Sequence, residues 1–177
     1  FNIIYSENGK IIPLYIEIDE QPKWGLKFAR EYVETILSQY LAFKLRRPGL
    51  IIKKRTLEEL DEIAGKEKIT IVNEEIKTFR SYYKEEDFEN SISFAFAIPH
   101  RIASNRKNFF VVMIDEFQYL NEFIYRDKEC KNRAQGLVGA YHGLSESKIA
   151  PMLVSGSYVG WLTGILNRFF IGRIKQY

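Results

Sequence analysis

Asp115 and Glu116 are the residues of this sequence best placed to do chemistry. They follow Phe109-Phe110-Val111-Val112-Met113-Ile114, an unbroken apolar run. Such a run reads as a strand buried on both faces, as in a parallel sheet. In open parallel sheets, chemistry collects just beyond the carboxyl ends of the strands. Two adjacent carboxylates at that place suit phosphoryl transfer. The first can hold a magnesium ion, usually through water. The second can orient and polarise an attacking water. The plainer alternative is a strand whose acidic end meets solvent. Further on, Pro151-Met152-Leu153-Val154 runs into Ser155-Gly156-Ser157. A polar residue ending the strand beside the acidic one can bond both a γ-phosphate and the attacking water. Here the alternative is a strand-to-helix turn with a serine cap. Arg168 and Arg173 stand downstream, cations able to meet developing phosphate charge.

The elements that must position these residues are legible in the hydrophobic pattern. Residues 13–18 read as a buried strand with an acidic exit, with Pro13 fitting only its first position. Asn8-Gly9 reads as a turn before it. Trp24, Phe28, Tyr32, Ile36 and Tyr40 recur every four residues, which predicts a long helix over 24–45, stopped by Arg46-Arg47-Pro48-Gly49. Thr56-Leu57-Glu58-Glu59 is a capping-box pattern, so a helix starts there and stops near Gly65. Residues 68–72 read as a short strand, 74–90 as one or two helices, and 91–103 as a buried helix despite Pro99. A polar loop follows over 104–108. Strands over 109–114 and 151–155, with helices near 134–145 and 158–168, complete an α/β chain with a parallel sheet.

The 177 residues set the prior at one domain. With 46% hydrophobic and 28% charged residues the chain can build a core, which excludes disorder throughout. A net charge of +3 does not demand a polyanionic partner. No apolar run approaches the length of a membrane span, and no signal peptide opens the chain. A single cysteine, Cys130, excludes a disulfide framework and fits a reducing, cytoplasmic compartment. One Cys and two separated histidines, His100 and His142, argue against a structural zinc site. Because the sequence starts at Phe1 and ends within an apolar pattern, it reads as part of a longer protein.

The stretch Val111 to Leu120, with its wording Ile-Asp-Glu-Phe-Gln-Tyr-Leu over 114–120, resembles the Walker B strand of archaeal-type P-loop ATPases, in the AAA+ and STAND group. Leu153 to Gly160 resembles that family's sensor-1 strand. Ile171-Gly172-Arg173 resembles its Tyr-Gly-Arg segment, with Ile171 in place of the usual aromatic. The tight matches cover about 25 residues, and looser agreement in order and spacing runs over 13–173. The resemblance implies a P-loop NTPase core, a parallel sheet flanked by helices on both faces and incomplete at its N-terminal strand. It implies strand 2 near 13–18, a helical insert near 24–108, the Walker B strand over 109–116 and the sensor-1 strand over 151–157. It implies ATP and Mg2+ as ligands, Asp115 as the magnesium acid, Glu116 as the catalytic base and Ser155 as the sensor. Arg173 becomes the arginine for the γ-phosphate or for signalling between subunits, which makes a homo-oligomer an expected assembly.

One departure is large. The family's phosphate loop, G-x-x-x-x-G-K-[ST], is missing from these residues. Gly9-Lys10 is followed by Ile11 and has Ile4 where the first glycine belongs; Gly65-Lys66 is followed by Glu67 and has Leu60 there. The family's strand order, 5-1-4-3-2, then lacks strand 1 and leaves the 151–155 strand with a bare edge. Losing three phosphate contacts at about 2 kcal/mol each weakens ATP binding by roughly four orders of magnitude. The residues alone are therefore expected to be nearly inert. Two further readings compete. One is a non-catalytic nucleic-acid-binding or protein-interaction module with a degenerate ATPase fold, using Lys53, Lys54 and Arg55 within the basic stretch 44–55. The plainer account of that stretch is a solvated loop balanced by Glu58, Glu59, Asp61 and Glu62. The other is a metal-dependent nuclease on Asp115 and Glu116, for which the strand supplies few carboxylates.

Overall fold

The structure, a computed structural model, describes residues 2–7, 9–106, 108–141, 144 and 147–169. A short helix α1 (Asn2–Ser6) leads into strand β1 (Ile11–Glu17). A two-residue strand β2 (Lys23–Trp24) opens directly into helix α2 (Gly25–Leu45). Four helices follow: α3 (Gly49–Ile52), α4 (Leu57–Lys66), α5 (Thr70–Lys84) and α6 (Phe88–Arg106). Strand β3 (Phe109–Asp115) is then followed by α7 (Tyr119–Glu122), β4 (Ile124–Tyr125) and α8 (Leu137–Ala140). Strand β5 (Met152–Val154) and helix α9 (Val159–Phe169) complete the order.

β1, β3 and β5 form a three-stranded parallel sheet in the order β1-β3-β5. The register sets Glu17 beside Asp115 and Ile114 beside Val154. β2 and β4 pair as a separate parallel ribbon. The chain is therefore an α/β fold with a small parallel sheet packed against helices.

The four-residue stripe of α2 does what its spacing predicts. Phe28, Tyr32, Ile36 and Tyr40 are all buried, and Tyr40 meets Phe110 of β3 with ring centroids 5.8 Å apart. Each such side chain removed from water contributes about 1.5–3 kcal/mol. Arg46 ends the helix in the left-handed region at φ 56, with Pro48 just beyond. α6 packs beside α2 and runs through Pro99. The capping box of α4 is present: the Glu59 N–H donates to Thr56 Oγ1, and the Thr56 N–H donates to Glu59 Oε2.

Several expectations change. Residues 68–72 do not form a strand; from Thr70 they are the first turn of α5. Ile71, Val72, Ile76 and Phe79 are buried along one helical face. Spacing over the longer window overrides the β-preference of Ile and Val. The helix expected over 134–145 is only α8, Leu137–Ala140, among the described residues. α6 extends to Arg106, into the stretch read as a loop. Asn8 of the expected turn lies outside the described residues, as do His142 and Ile171-Gly172-Arg173.

The sheet is also less enclosed than the apolar run implied. Burial alternates along β3: Phe110, Val112 and Ile114 are buried against the helices, as are Ile12, Leu14 and Ile16 of β1. On the other face Val111 and Met113 are half-buried and Leu153 is 60% exposed. Helices on both faces are thus met on one face among the described residues.

Pro13 is the third residue of β1 rather than its first. The reason lies at the strand's outer edge. Gln39 of α2 reaches Tyr15: the Tyr15 N–H donates to Gln39 Oε1 at 2.7 Å, and Gln39 Nε2 donates to the Tyr15 carbonyl at 2.6 Å. In a parallel strand a residue's N–H and C=O leave on the same side, alternating along the chain. Pro13 shares the side of Tyr15, so its missing N–H faces the edge and costs the ladder nothing.

Candidate functional site

β3 delivers Asp115 at its carboxyl end, and the chain turns sharply after it. Glu116 lies in the left-handed region at φ 54, and its N–H donates back to Asp115 Oδ1 at 3.0 Å. The segment after β5 continues the pairing. The Ser155 N–H donates to the Ile114 carbonyl at 3.0 Å, and the Phe117 N–H donates to the Ser155 carbonyl at 3.0 Å. These rungs bring Ser155 beside Asp115, and Ser155 Oγ donates to Asp115 Oδ1 at 2.6 Å. From the other side Tyr15 Oη donates to Asp115 Oδ2 at 3.2 Å. The Ser155 hydroxyl, the Glu116 N–H and the Tyr15 hydroxyl hold the Asp115 carboxyl below its usual range, against the opposing effect of burial. Burial first, then Asp115, pushes the Tyr15 phenol up.

Glu116 is held by a different set. Ser157 Oγ donates to its Oε1. The Ser157 N–H donates to Oε2 at 3.1 Å, and Gln118 Nε2 donates to the same oxygen. The Ser157 hydroxyl and N–H, with Gln118, lower the Glu116 pKa, while Asp115 opposes the shift. The two acids open onto different clefts. One, of about 470 Å³, is lined by Asp115 and Ser155 with Tyr15, Met113 and Leu153. The other is lined by Glu116, Ser157, Tyr119 and Tyr158 with the acidic loop after β1.

The structure places Ser155 against Asp115, while Glu116, next in the chain, opens onto the other cleft with Ser157. Arg173 lies outside the described residues, and Arg168 is exposed on α9. Tyr15, Gln118 and Ser157 were not singled out from sequence. Gln118 lies within the Ile-Asp-Glu-Phe-Gln-Tyr-Leu wording, so that wording was the available signal. Tyr15 is one hundred residues from Asp115 and only the strand register brings it there.

The donor set suits magnesium in one respect. Among the described residues no three His, Cys, Asp or Glu side chains converge to hold a metal ion. One carboxylate beside a hydroxyl fits an ion bound mainly by phosphate and water, which is how magnesium usually sits. It does not fit the several carboxylates of a two-metal nuclease.

The basic stretch is largely occupied. Arg47 pairs with Glu67 at 2.6 Å, Lys54 with Glu31 at 3.2 Å and Arg55 with Glu59 at 3.3 Å. Lys53, Lys54 and Arg55 border a cavity of about 390 Å³ whose lining takes in Gln39 and Glu17 but not Ser155. No helix among the described residues is long and apolar enough to cross a membrane. Comparison of the chain with known protein families, characterised proteins and solved structures found no match.

Proposed function

We propose that these residues are the core of an ATP-binding and ATP-hydrolysing protein of the P-loop class, AAA+/STAND-like, working as a motor or switch. The observation that carries the reading is the contact of Ser155 Oγ with Asp115 Oδ1 across adjacent parallel strands, with Glu116 next in the chain. Carboxylate, hydroxyl and second carboxylate then stand at the carboxyl edge of one open sheet, where ligands of such sheets bind.

In this reading Asp115, with Ser155 beside it, would hold the magnesium ion, whose charge offsets that of the phosphates. Tyr15 keeps Asp115 oriented. Glu116 orients the attacking water. Ser155 is the sensor that answers the γ-phosphate. Arg173 remains the candidate cation for the γ-phosphate or for a neighbouring subunit in a homo-oligomer. The reading requires a glycine-rich phosphate loop outside residues 1–177. The free edge of β5 is the place the family's strand order gives to the strand carrying it. The second sheet face would then be covered by the helix that follows the loop.

The test is ATP hydrolysis by the full-length protein, of which these residues are the whole or a part, with and without magnesium. Glu116→Gln is expected to cut kcat by about a hundredfold or more while ATP still binds. Asp115→Asn is expected to remove the magnesium dependence of binding. Hydrolysis that Glu116→Gln leaves intact, or no ATP binding at all, would overturn the reading.

A further inference from the structure

We infer that Gln118 and Ser157 are positioning residues for Glu116, and that Gly156 is the seat that lets Gln118 reach it. Together they aim one free lone pair of the Glu116 carboxylate at the attacking water. The inference rests on the ATPase reading for what that water attacks, and on geometry alone for what holds the carboxylate.

An ionised carboxylate offers about four acceptor directions, two on each oxygen. On Glu116, Oε2 takes the Ser157 N–H and Gln118 Nε2, and Oε1 takes Ser157 Oγ. Three directions are filled, and the one that remains is on Oε1. A carboxylate on an ordinary surface glutamate rotates freely. This one is fixed by its backbone at φ 54 and by three donors from two segments.

Gln118 shows the clearest sign of being placed for this purpose. It is fully buried, yet its own Oε1 has no hydrogen-bond partner. A buried glutamine that leaves its carbonyl unpaired forgoes a bond in order to keep its NH2 on Glu116. Turning the amide over would set two oxygens against each other, so the orientation is forced. The unpaired oxygen lies against Gly156. A methyl group at Gly156 would overlap Gln118 Oε1 and come within 2.9 Å of its Cδ. Gly156 does not have a left-handed φ, and the three nearest atoms that an added methyl would meet all belong to Gln118.

The chemistry agrees with orientation rather than proton removal. The titratable groups in the Glu116 cleft are Glu17, Asp19, Glu20, Tyr119 and Tyr158, with Asp115 adjacent in the chain. None brings a positive charge. Among the described residues Glu116 therefore meets no cation in its cleft, and three of its four acceptor directions are already filled. Phosphoryl transfer through a loose transition state needs little base strength. The water oxygen bonds to the γ-phosphorus, the bond to the bridging oxygen breaks, and its electron pair leaves on ADP. The water protons end on the phosphate product and in solvent, and Glu116 is unchanged.

The experiment reads the order of the Glu116 side chain by 13C relaxation of its Cγ methylene at pH 7, in 13C-glutamate-labelled protein. The variants are Gln118→Ala, Gly156→Ala and the pair together. Each single change is expected to lower the order of the Glu116 side chain, because a donor that fixes it is lost or displaced. The double variant is expected to go no further than Gln118→Ala, because Gly156 acts only through Gln118. Unchanged thermal unfolding shows that the fold persists. In the full-length protein Gln118→Ala should lower kcat about ten- to a hundredfold with KM for ATP within about twofold. Unchanged order at Glu116 in Gln118→Ala, or additive losses of order in the double variant, would overturn the positioning role. A Glu116 side chain loosened by Gln118→Ala in a protein that never hydrolyses ATP would instead sink the ATPase reading, and the water with it, leaving the held carboxylate in place.

Discussion

Asp115, like Glu116, is held by three donors, and its acid-base behaviour follows from them. Ser155 Oγ and the Glu116 N–H donate to one oxygen, and Tyr15 Oη donates to the other. All three favour the ionised form. A carboxyl whose pKa is lower in the folded chain than in the unfolded chain adds stability that is complete above the unfolded value. That stability is lost as pH falls through the folded value, because the unfolded chain takes up the proton first. For Asp115 the loss therefore begins near the ordinary 3.8 and continues below it. Ser155→Ala removes the largest of these effects. It should destabilise the protein by about 1 kcal/mol or less at pH 7, since the group is partly in water. Urea titrations at pH 7 and at pH 3 check this, and the gap between the two proteins should narrow at the lower pH. A gap that widens in acid would mean that Ser155 does not favour the charged carboxylate. Glu116 follows the same sign, so activity should show no inhibition from its protonation until pH falls below the ordinary 4.5.

At the scale of elements, the contact between α2 and β1 links the core to the site. Gln39 is 6% exposed and takes the place of a neighbouring strand for Tyr15, accepting from its N–H and donating to its carbonyl. Gln39→Leu keeps the volume but leaves a backbone donor and acceptor unpaired, at a cost of about 2–4 kcal/mol. The expected readouts are a lower urea midpoint and faster hydrogen exchange at the Tyr15 amide. Because Tyr15 carries a hydroxyl to Asp115, the same change should loosen the site. Unaltered exchange at Tyr15 would show that water satisfies this edge instead. This contact also marks the limit of what the sequence could reveal. The α2 stripe and the Thr56 capping box were legible because both are local patterns, complete within a few turns. Asp115, Glu116 and Ser155 were legible because strand ends collect chemistry. Gln39 and Tyr15 were not, since a glutamine in a helix and a tyrosine in a strand acquire their roles only through packing across the fold. The stretch 68–72 misled for the opposite reason. Ile69, Ile71 and Val72 favour a strand locally, and Ile76 and Phe79 decide for a helix only when the whole face is counted. Gln118 was in view within the Walker B-like wording, but its place against Gly156 depends on the segment after β5.

Among the described residues, cover over the two faces of the sheet is uneven. One face is sealed by α2 and α6, whereas the other presents Ile11 at 39%, Phe109 at 36% and Leu153 at 60% exposure. Parallel sheets are ordinarily covered on both faces. β5 adds a second liability: it pairs with β3 on one side, and among the described residues it has no strand on the other. An apolar edge of this kind recruits whatever strand is available. For the 177 residues alone, the available strand is another copy, so self-association should rise with concentration in analytical ultracentrifugation. Leu153→Lys places a charge on that edge and removes a side chain worth about 1.5–3 kcal/mol when buried, so association should weaken by about tenfold or more. A chain that stays monomeric to millimolar concentration, with or without the lysine, would show that the edge is protected. The same substitution separates two accounts of the full-length protein. If a loop-bearing strand pairs with β5, Leu153→Lys obstructs it and ATP hydrolysis falls although Asp115, Glu116 and Ser155 are untouched. If the phosphates are held from elsewhere, hydrolysis survives the charge, and the second face of the sheet must be explained by something other than the missing strand.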